Sequence, residues 1–270
     1  MNAPEQLVLP DTQSLADLRQ TAIQKVGIKG LRYPVALRTP SGEVQHTVAE
    51  FAMYVGLAHD VKGTHMSRFV EILESARTPL DIRGLNQLHG QMLERLGAVT
   101  GRIEMSFPYF IRKSAPVSGV SSLLDYQASI AAETTADGRT KITLALTAPV
   151  TSLCPCSKKI ADYGAHNQRS HITVTADIVG DLSLEELALV AEEEASCEVW
   201  GLLKRPDEKW VTERAYDNPK FVEDLVRDIA LRMKRDPRVG RFTVASENFE
   251  SIHNHSAYAE VEGVGAALLD

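Results

Sequence analysis

Apolar residues recur along this chain of 270 residues with two different periods, and the periods change in the same order in each half. Apolar residues at every second position predict β-strands, whereas spacings of three and four predict helices with one apolar face. The first half is predicted to form two strands, two helices and two strands, at residues 34–37, 44–57, 66–76, 80–96, 101–113 and 124–135. The second half repeats this order at residues 141–150, 171–179, 183–196, 218–236, 239–245 and 257–261. The sequence therefore predicts two copies of one β-β-α-α-β-β module.

Two such modules predict an α+β fold in which each antiparallel sheet carries helices on one face. The dipeptide Asp137-Gly138 is typical of a tight hairpin turn, so we expect it to join the two sheets into one. We divide the chain into an N-terminal arm at 1–30 with a short helix at 15–26, a first module at 31–137 and a second module at 138–270.

Charge excludes some classes of partner. The chain has 36 acidic and 29 basic side chains and a net charge of -7, which argues against a nucleic-acid binder or an anionic-membrane binder. A local cationic pocket for a phosphorylated small molecule is compatible with this charge. We find no secretory signal and no apolar run of about 18 residues, so the expected compartment is the reducing cytoplasm.

Cysteine is rare in the chain, and two of its three cysteines are one residue apart. Cys154 and Cys156 flank Pro155 in a segment rich in serine and lysine. With a single residue between them, the two cysteines lack the C-x-x-C spacing of a structural zinc ribbon. We therefore expect one cysteine to be a ligand and the other to have another role. Nearby cations favour the reactive thiolate. Cys197, late on a predicted helix, is expected in the core.

Several side chains of metal-ligating type accompany this pair. His166 follows Cys154 by twelve residues, and Glu250, His253 and His255 lie near the C-terminus. Thiolate, imidazole and carboxylate groups bind Zn²⁺ and related divalent ions. Composition and spacing alone leave two alternatives open for these side chains. They bind a metal or take part in catalysis, or they have a structural role.

A second cluster lies at residues 62–69, just before the first predicted helix. Glycine, threonine and serine at a helix start suit an anion such as phosphate, with Lys62, His65 and Arg68 nearby. An ordinary capped helix with solvated charges would have the same sequence. Glu223 lies beside the apolar stripe of the last predicted helix and is a candidate functional residue. The alternative is that it is an ordinary surface carboxylate.

At the segments 62–69 and 154–158, the chain closely resembles GTP cyclohydrolase type IB, and the resemblance extends over roughly residues 30–262. The family resemblance implies the tunnelling fold, here as tandem modules that assemble into a multi-subunit barrel, with active sites between the subunits of a homotetramer. It implies a hydrolase of cyclic amidine carbon–nitrogen bonds that converts GTP and water to 7,8-dihydroneopterin triphosphate and formate. This is the first step of tetrahydrofolate biosynthesis, with a metal-activated water attacking C8 of guanine.

The resemblance also implies roles for individual residues. One divalent ion (Zn²⁺, Mn²⁺ or Fe²⁺) would be bound by Cys154, His166, Glu208 and His253. Catalytic roles beside the metal or in proton transfer would fall to Cys154, Cys156, Glu250 and His255. Glu223 would anchor the purine, and the phosphate contacts would be Lys62, His65, Arg68, Lys158 and Arg169. Spacing does not decide which of the two cysteines binds the metal.

Two other functions fit the same fold. A nitrile reductase of queuosine biosynthesis would use a cysteine nucleophile with NADPH. Its Cys-Pro continues with Val-Thr-Gly-Gln-Pro-Asp, whereas Cys154-Pro155 is followed here by Cys156. The third possibility is a non-catalytic binding or assembly protein, in which a metal would be absent or structural.

Overall fold

A computed structural model of the chain describes residues 11, 13, 15–76 and 78–268. Its strands are β1 (Ile23–Arg38), β2 (Val44–Leu57), β3 (Gly101–Ser114), β4 (Ser121–Thr134), β5 (Thr140–Leu153), β6 (Asn167–Ile178), β7 (Cys197–Glu198), β8 (Val239–Asn248) and β9 (Ala257–Val264). Its α-helices are α1 (Met66–Ser75), α2 (Ile82–Leu96), α3 (Pro155–Ile160), α4 (Leu184–Glu194), α5 (Arg205–Asp217) and α6 (Val222–Arg235). None of these helices is long and apolar enough to cross a membrane.

The strands form one antiparallel sheet in the order β1-β2-β3-β4-β5-β6-β8-β9, and the short β7 pairs with β5. The sheet runs without a break across the middle of the chain, because β4 pairs with β5 from Thr134↔Thr140 onward. Gly138 adopts a φ of 77° in the connecting turn, a conformation that glycine reaches without steric cost. The predicted α+β fold and the predicted joining turn are confirmed.

Side chains alternate between the two faces of the sheet. In β3, buried Ile103, Met105 and Phe107 alternate with less buried Arg102 and Glu104. The buried face packs against α1, α2, α4 and α6 in one contiguous core, where each large apolar side chain contributes about 1.5–3 kcal/mol. The opposite face carries threonines and ion pairs, such as Arg102 with Glu104 at 2.8 Å.

The predicted helix at 15–26 is wrong, and its second part belongs to β1. Ile23 pairs with Leu57 and Arg38 with Val44, so β1 follows β2 over its whole length. Four β-branched residues between positions 21 and 28 favour the extended backbone, and β2 supplies its hydrogen-bond partners. The predicted strand at 34–37 is therefore part of a strand of 16 residues. Residues 1–10 of the predicted arm lie outside the described residues.

The second module departs from the prediction at three helices. α3 and α5 form within segments that the pattern predicts to be loops. α6 begins at Val222 rather than at 218, because the Asn218 side chain donates to the carbonyls of Ala195 and Ser196 and does not cap the helix. The predicted capping box of α4 is confirmed by the bond from the Glu186 N–H to Ser183 Oγ. The domain bounds at 31–137 and 138–270 stay predictions.

Candidate active site

The cysteine loop connects two neighbouring strands. Cys154 follows β5 and caps α3, where its Sγ accepts from the Ser157 N–H at 3.4 Å. The Cys154 N–H donates to the His166 carbonyl at 3.1 Å. Ser157 Oγ donates to the Cys154 carbonyl and accepts from the His166 N–H, both at 3.2 Å. The loop therefore places Cys154 and His166 side by side, at the adjoining ends of β5 and β6.

The two cysteines of this loop lie in different environments. Cys154 is half-buried, whereas Cys156 is exposed on the short helix α3. Cys197 is buried, and burial raises the pKa of its thiol to about 11, so it stays protonated at neutral pH. These environments separate an inert core thiol from two accessible thiols at the loop.

The ring of His166 is oriented by an amide. Its Nδ1 lies 2.9 Å from the Oε1 of Gln168, which is buried, and 3.3 Å from Ser251 Oγ. An amide oxygen only accepts, so this contact favours the tautomer of the neutral ring that carries its proton on Nδ1 and its lone pair on Nε2. A histidine held in this way is suited to bind a metal through Nε2.

The loop between β8 and β9 meets the cysteine loop. Ser251 contacts His166, and the Phe249 N–H donates to the Arg169 carbonyl at 3.0 Å. His253 and His255 are exposed on this loop, with their rings stacked at 5.1 Å, and Glu250 is half-buried. The structure thus brings the C-terminal histidine loop to the same end of the sheet as Cys154.

The first turn of α6 lies at this end as well. The Lys220 N–H donates to the carbonyl of Leu153, the residue before Cys154, at 3.1 Å. Glu223 lies three residues after Lys220, in the first turn of α6, and its side chain is exposed. A carboxylate in this place is free to accept hydrogen bonds from a ligand beside the cysteine loop.

Glu208 lies on α5, whose two ends are held by different partners. The neighbouring Asp207 is buried and accepts from the N–H groups of Val117 and Ser118, both at 2.8 Å. Burial opposes the charge of Asp207, but these bonds hold the pKa of its carboxyl well below its usual range. The start of α5, where the exposed Glu208 lies, is thereby held beside the β3–β4 turn.

The far end of α5 contacts the cysteine loop. The Lys158 ammonium donates to the Tyr216 carbonyl and lies 4.1 Å from the centroid of its ring. Tyr216 is eight positions after Glu208 on the helix, which is a rise of about 12 Å at 1.5 Å per residue. Within one chain, Glu208 is therefore displaced along α5 from the part of the helix that touches the loop.

The predicted phosphate contacts near α1 lie elsewhere. His65 precedes α1, with its Nε2 3.3 Å from the Asp11 carboxylate, and Arg68 donates to the Arg95 carbonyl at 3.4 Å. Lys62 is exposed in the same loop, which follows Leu57 at the end of β2. The three side chains therefore lie around the start of α1, where His65 and Arg68 already have partners within the chain.

The two sequence motifs lie at opposite ends of the sheet. The strand register places the end of β2 level with the start of β5. The pairs that show this are Val55↔Gly101, Gly101↔Thr134 and Thr134↔Thr140. Cys154 follows the other end of β5, a strand of 14 residues. At about 3.3 Å per residue, the two ends are about 40 Å apart. No side chain bridges this distance, so the motifs do not share a site within one chain.

The predicted metal ligands are only partly assembled. Across the described part of the chain, no three His, Cys, Asp or Glu side chains are grouped so that they could hold a metal ion. Cys154 and His166 adjoin and fit such an ion by their chemistry, with a half-buried thiol and a free imidazole Nε2. Glu208 and His253 lie at the same end of the sheet without completing the group. Among the described residues, the chain brings together two of the four predicted ligands, and we call Cys154 and His166 the cysteine half-site.

Sequence reasoning missed the residues that hold this site in place. Ser157, Gln168 and Ser251 orient His166, while Asp207 fixes α5 and Asn218 fixes the approach to α6. The only signal for any of them is the Asn218-Pro219 dipeptide, which is typical of a helix start. Their roles depend on tertiary contacts, which spacing along the chain does not report.

The chain matches a known family over most of its length. A family model described as Type I GTP cyclohydrolase folE2 matches residues 9–259. GTP cyclohydrolase FolE2 1 of Dechloromonas aromatica is 66% identical over 263 residues, which are 97% of this chain and 99% of that protein. GTP cyclohydrolase FolE2 2 of Cupriavidus metallidurans is 63% identical over 255 residues, 94% of this chain and 95% of that protein.

A solved structure agrees on the fold. Uricase from Arthrobacter globiformis aligns with 89% of this chain and 93% of its own, with a TM-score of 0.52 and 8% sequence identity. This likeness concerns the fold alone and is consistent with the tunnelling fold. Together with the family match, it leads to one identification: the chain belongs to the type I GTP cyclohydrolase FolE2 family.

Proposed function

We propose that this protein is a GTP cyclohydrolase that converts GTP and water to 7,8-dihydroneopterin triphosphate and formate, the first step of folate biosynthesis. The observation that carries the proposal is the family match over residues 9–259, with 66% identity to a relative named for this activity. The alternative, a nitrile reductase, is not favoured by that match.

The residues of the cysteine loop would hold the divalent ion. Cys154 and His166 Nε2 are the adjoining donors, and Glu208 and His253 are the further ligands that we propose. A divalent ion bound there would supply the Lewis acidity that lowers the pKa of a water molecule. Zn²⁺, Mn²⁺ and Fe²⁺ all suit a thiolate, imidazoles and a carboxylate.

The purine would be held by Glu223. The pyrimidine edge of guanine offers a ring N–H and an amino group side by side, and a carboxylate accepts from both at once. The exposed Glu223 lies three residues after Lys220, whose N–H donates to the carbonyl of Leu153, just before Cys154. Cys156, Glu250 and His255 are the nearby groups that we propose for proton transfer as the imidazole ring opens.

The triphosphate would be bound across two copies of the chain. Lys158 and Arg169 lie at the cysteine end, whereas Lys62, His65 and Arg68 lie about 40 Å away along the sheet. A site that uses both groups needs the second group from a neighbouring subunit. We therefore propose interfacial active sites in a homotetramer of two-module chains. The described residues contain only free cysteines, which suits a cytoplasmic enzyme.

The function is tested with purified protein reconstituted in turn with Mn²⁺, Zn²⁺ and Fe²⁺ under reducing conditions. We expect GTP to yield a product that becomes fluorescent on oxidation to neopterin. A parallel assay follows NADPH oxidation with the nitrile substrate of the reductase. NADPH oxidation without any neopterin product would overturn the proposal in favour of the alternative.

A further inference from the structure

The last residue of β5, Leu153, is hydrogen-bonded on both sides. Its N–H donates to Ser196 Oγ at 3.0 Å, and its carbonyl accepts from the Lys220 N–H at 3.1 Å. Leu153 directly precedes Cys154, and Lys220 lies three residues before Glu223. The backbone that leads into the cysteine loop is therefore tied to the backbone that leads into α6.

Two polar side chains complete this connection. Ser196 is fully buried between α4 and β7. The half-buried Asn218, between α5 and α6, donates through Nδ2 to the carbonyl of Ala195 at 2.8 Å and to that of Ser196 at 3.4 Å. We call Leu153, Ser196, Asn218 and Lys220 the Ser196–Asn218 node. It joins the end of β5, the α4–β7 connection and the start of α6.

A purine makes the separation of these elements important. Guanine is rigid and planar, with C8 at one edge and the ring N–H and amino group at the opposite edge. An enzyme that acts on C8 beside Cys154 while holding the other edge with Glu223 needs a fixed distance between the two groups. Misplacement by about 1 Å lowers the rate of a well-oriented reaction by about 100-fold.

We propose that Ser196 and Asn218 are positioning residues that set the separation between the Cys154 thiol and the Glu223 carboxylate. The expected effect on the reaction rate rests on the proposed function. The expected effect on the distance between Cys154 and Glu223 does not. Neither side chain touches the substrate in this account. Both act through the backbone on either side of the node.

The separation is measured directly by cross-linking. Glu223→Cys in a Cys156→Ser background leaves Cys154 and position 223 as the accessible thiols, because Cys197 is buried with a pKa of about 11. Bifunctional thiosulfonate reagents of graded length then report which spacers join the two positions within one chain. We expect a narrow range of spacers in this protein and a broader range when Asn218→Ala is added. An unchanged profile overturns the proposal.

Kinetics on the otherwise unaltered enzyme give the second readout. For Asn218→Ala and Ser196→Ala we expect kcat to fall about 10- to 100-fold. KM for GTP should change by less than about threefold, because the phosphate-binding cations remain. Thr47→Val is the matched control. It removes a half-buried side chain that, like Asn218, donates to a backbone carbonyl, here that of Pro108 in the first module.

The two readouts separate the possible failures. Normal kcat in both variants, or a rise in KM with kcat unchanged, contradicts the positioning role. Equal losses in Thr47→Val and Asn218→Ala contradict it too, because a general loss of stability then explains both. If the unaltered protein releases no formate from GTP, the proposed function fails, and the cross-linking profile still decides the geometry.

Discussion

The distance between the two motifs leads to a test of subunit complementation. Cys154→Ala removes the cysteine half-site from one copy, and Lys62→Glu with Arg68→Glu reverses the cations of the other half-site in a second copy. The half-sites lie about 40 Å apart within one chain. Suppose that an active site takes one half-site from each of two copies. A pair of one Cys154→Ala copy and one Lys62→Glu, Arg68→Glu copy then has two sites. One site contains no substitution, and the other contains all three.

The expected magnitude follows from this pairing. Each variant alone has no intact site, whereas random association of equal amounts leaves about one quarter of the sites intact. Co-expression in equal amounts, purification through one affinity tag that both copies carry, and measurement of formate per chain should therefore return about 25% of the unaltered activity.

The matched control combines Cys154→Ala with His166→Ala. These two residues adjoin in one half-site, so no mixed assembly has an intact site and we expect no recovery. Activity of the first mixture that does not exceed the sum of its separate variants would refute a site shared between chains.

Three further predictions concern charge. Lys113→Met should lower the free energy of unfolding by about 3–5 kcal/mol in urea titrations, because it leaves the buried Glu192, 2.7 Å from the Lys113 ammonium, without a cation. Adding Glu192→Gln should restore part of that loss, and no recovery would contradict this pairing. The hydrogen bond from Arg238 lowers the pKa of Asp236, so this pair stabilises the fold above the ordinary carboxyl pKa and the benefit is lost as pH falls. Arg238→Gln should therefore lose less stability than the unaltered protein on going from about pH 5 to about pH 3, and equal losses would contradict the assignment. Glu223→Ala should weaken GTP binding in equilibrium dialysis while metal content, measured by atomic emission, is retained; unchanged binding would remove Glu223 from the anchor role.

Local signals predicted those parts of the fold that local chemistry decides. The Asp137-Gly138 turn and the capping box at Ser183 are short-range features, and both are confirmed. α5 was missed because it buries only Asp207 and Ala215, so it carries no apolar stripe to detect. The start of β1 was missed because its pairing with β2, more than 30 residues away, decides its conformation.

The site was predicted as a set of residues without its geometry. The twelve-residue spacing of Cys154 and His166 suggested a shared role, and the structure places them side by side. The sequence could not indicate that Lys62 lies at the other end of the sheet, since that depends on the register of four paired strands. The buried Gln168 and the half-buried Asn218, which support the site, likewise become visible only through tertiary contacts.

The central claim is that this chain opens the imidazole ring of GTP at C8. The most direct measurement uses GTP labelled with ¹⁴C at C8, incubated with the metal-reconstituted protein under reducing conditions. The account predicts that labelled formate is released in equal amount to the 7,8-dihydroneopterin triphosphate formed, and that Cys154→Ala abolishes both. Labelled formate that stays at the background level with Mn²⁺, Zn²⁺ and Fe²⁺ alike would contradict it.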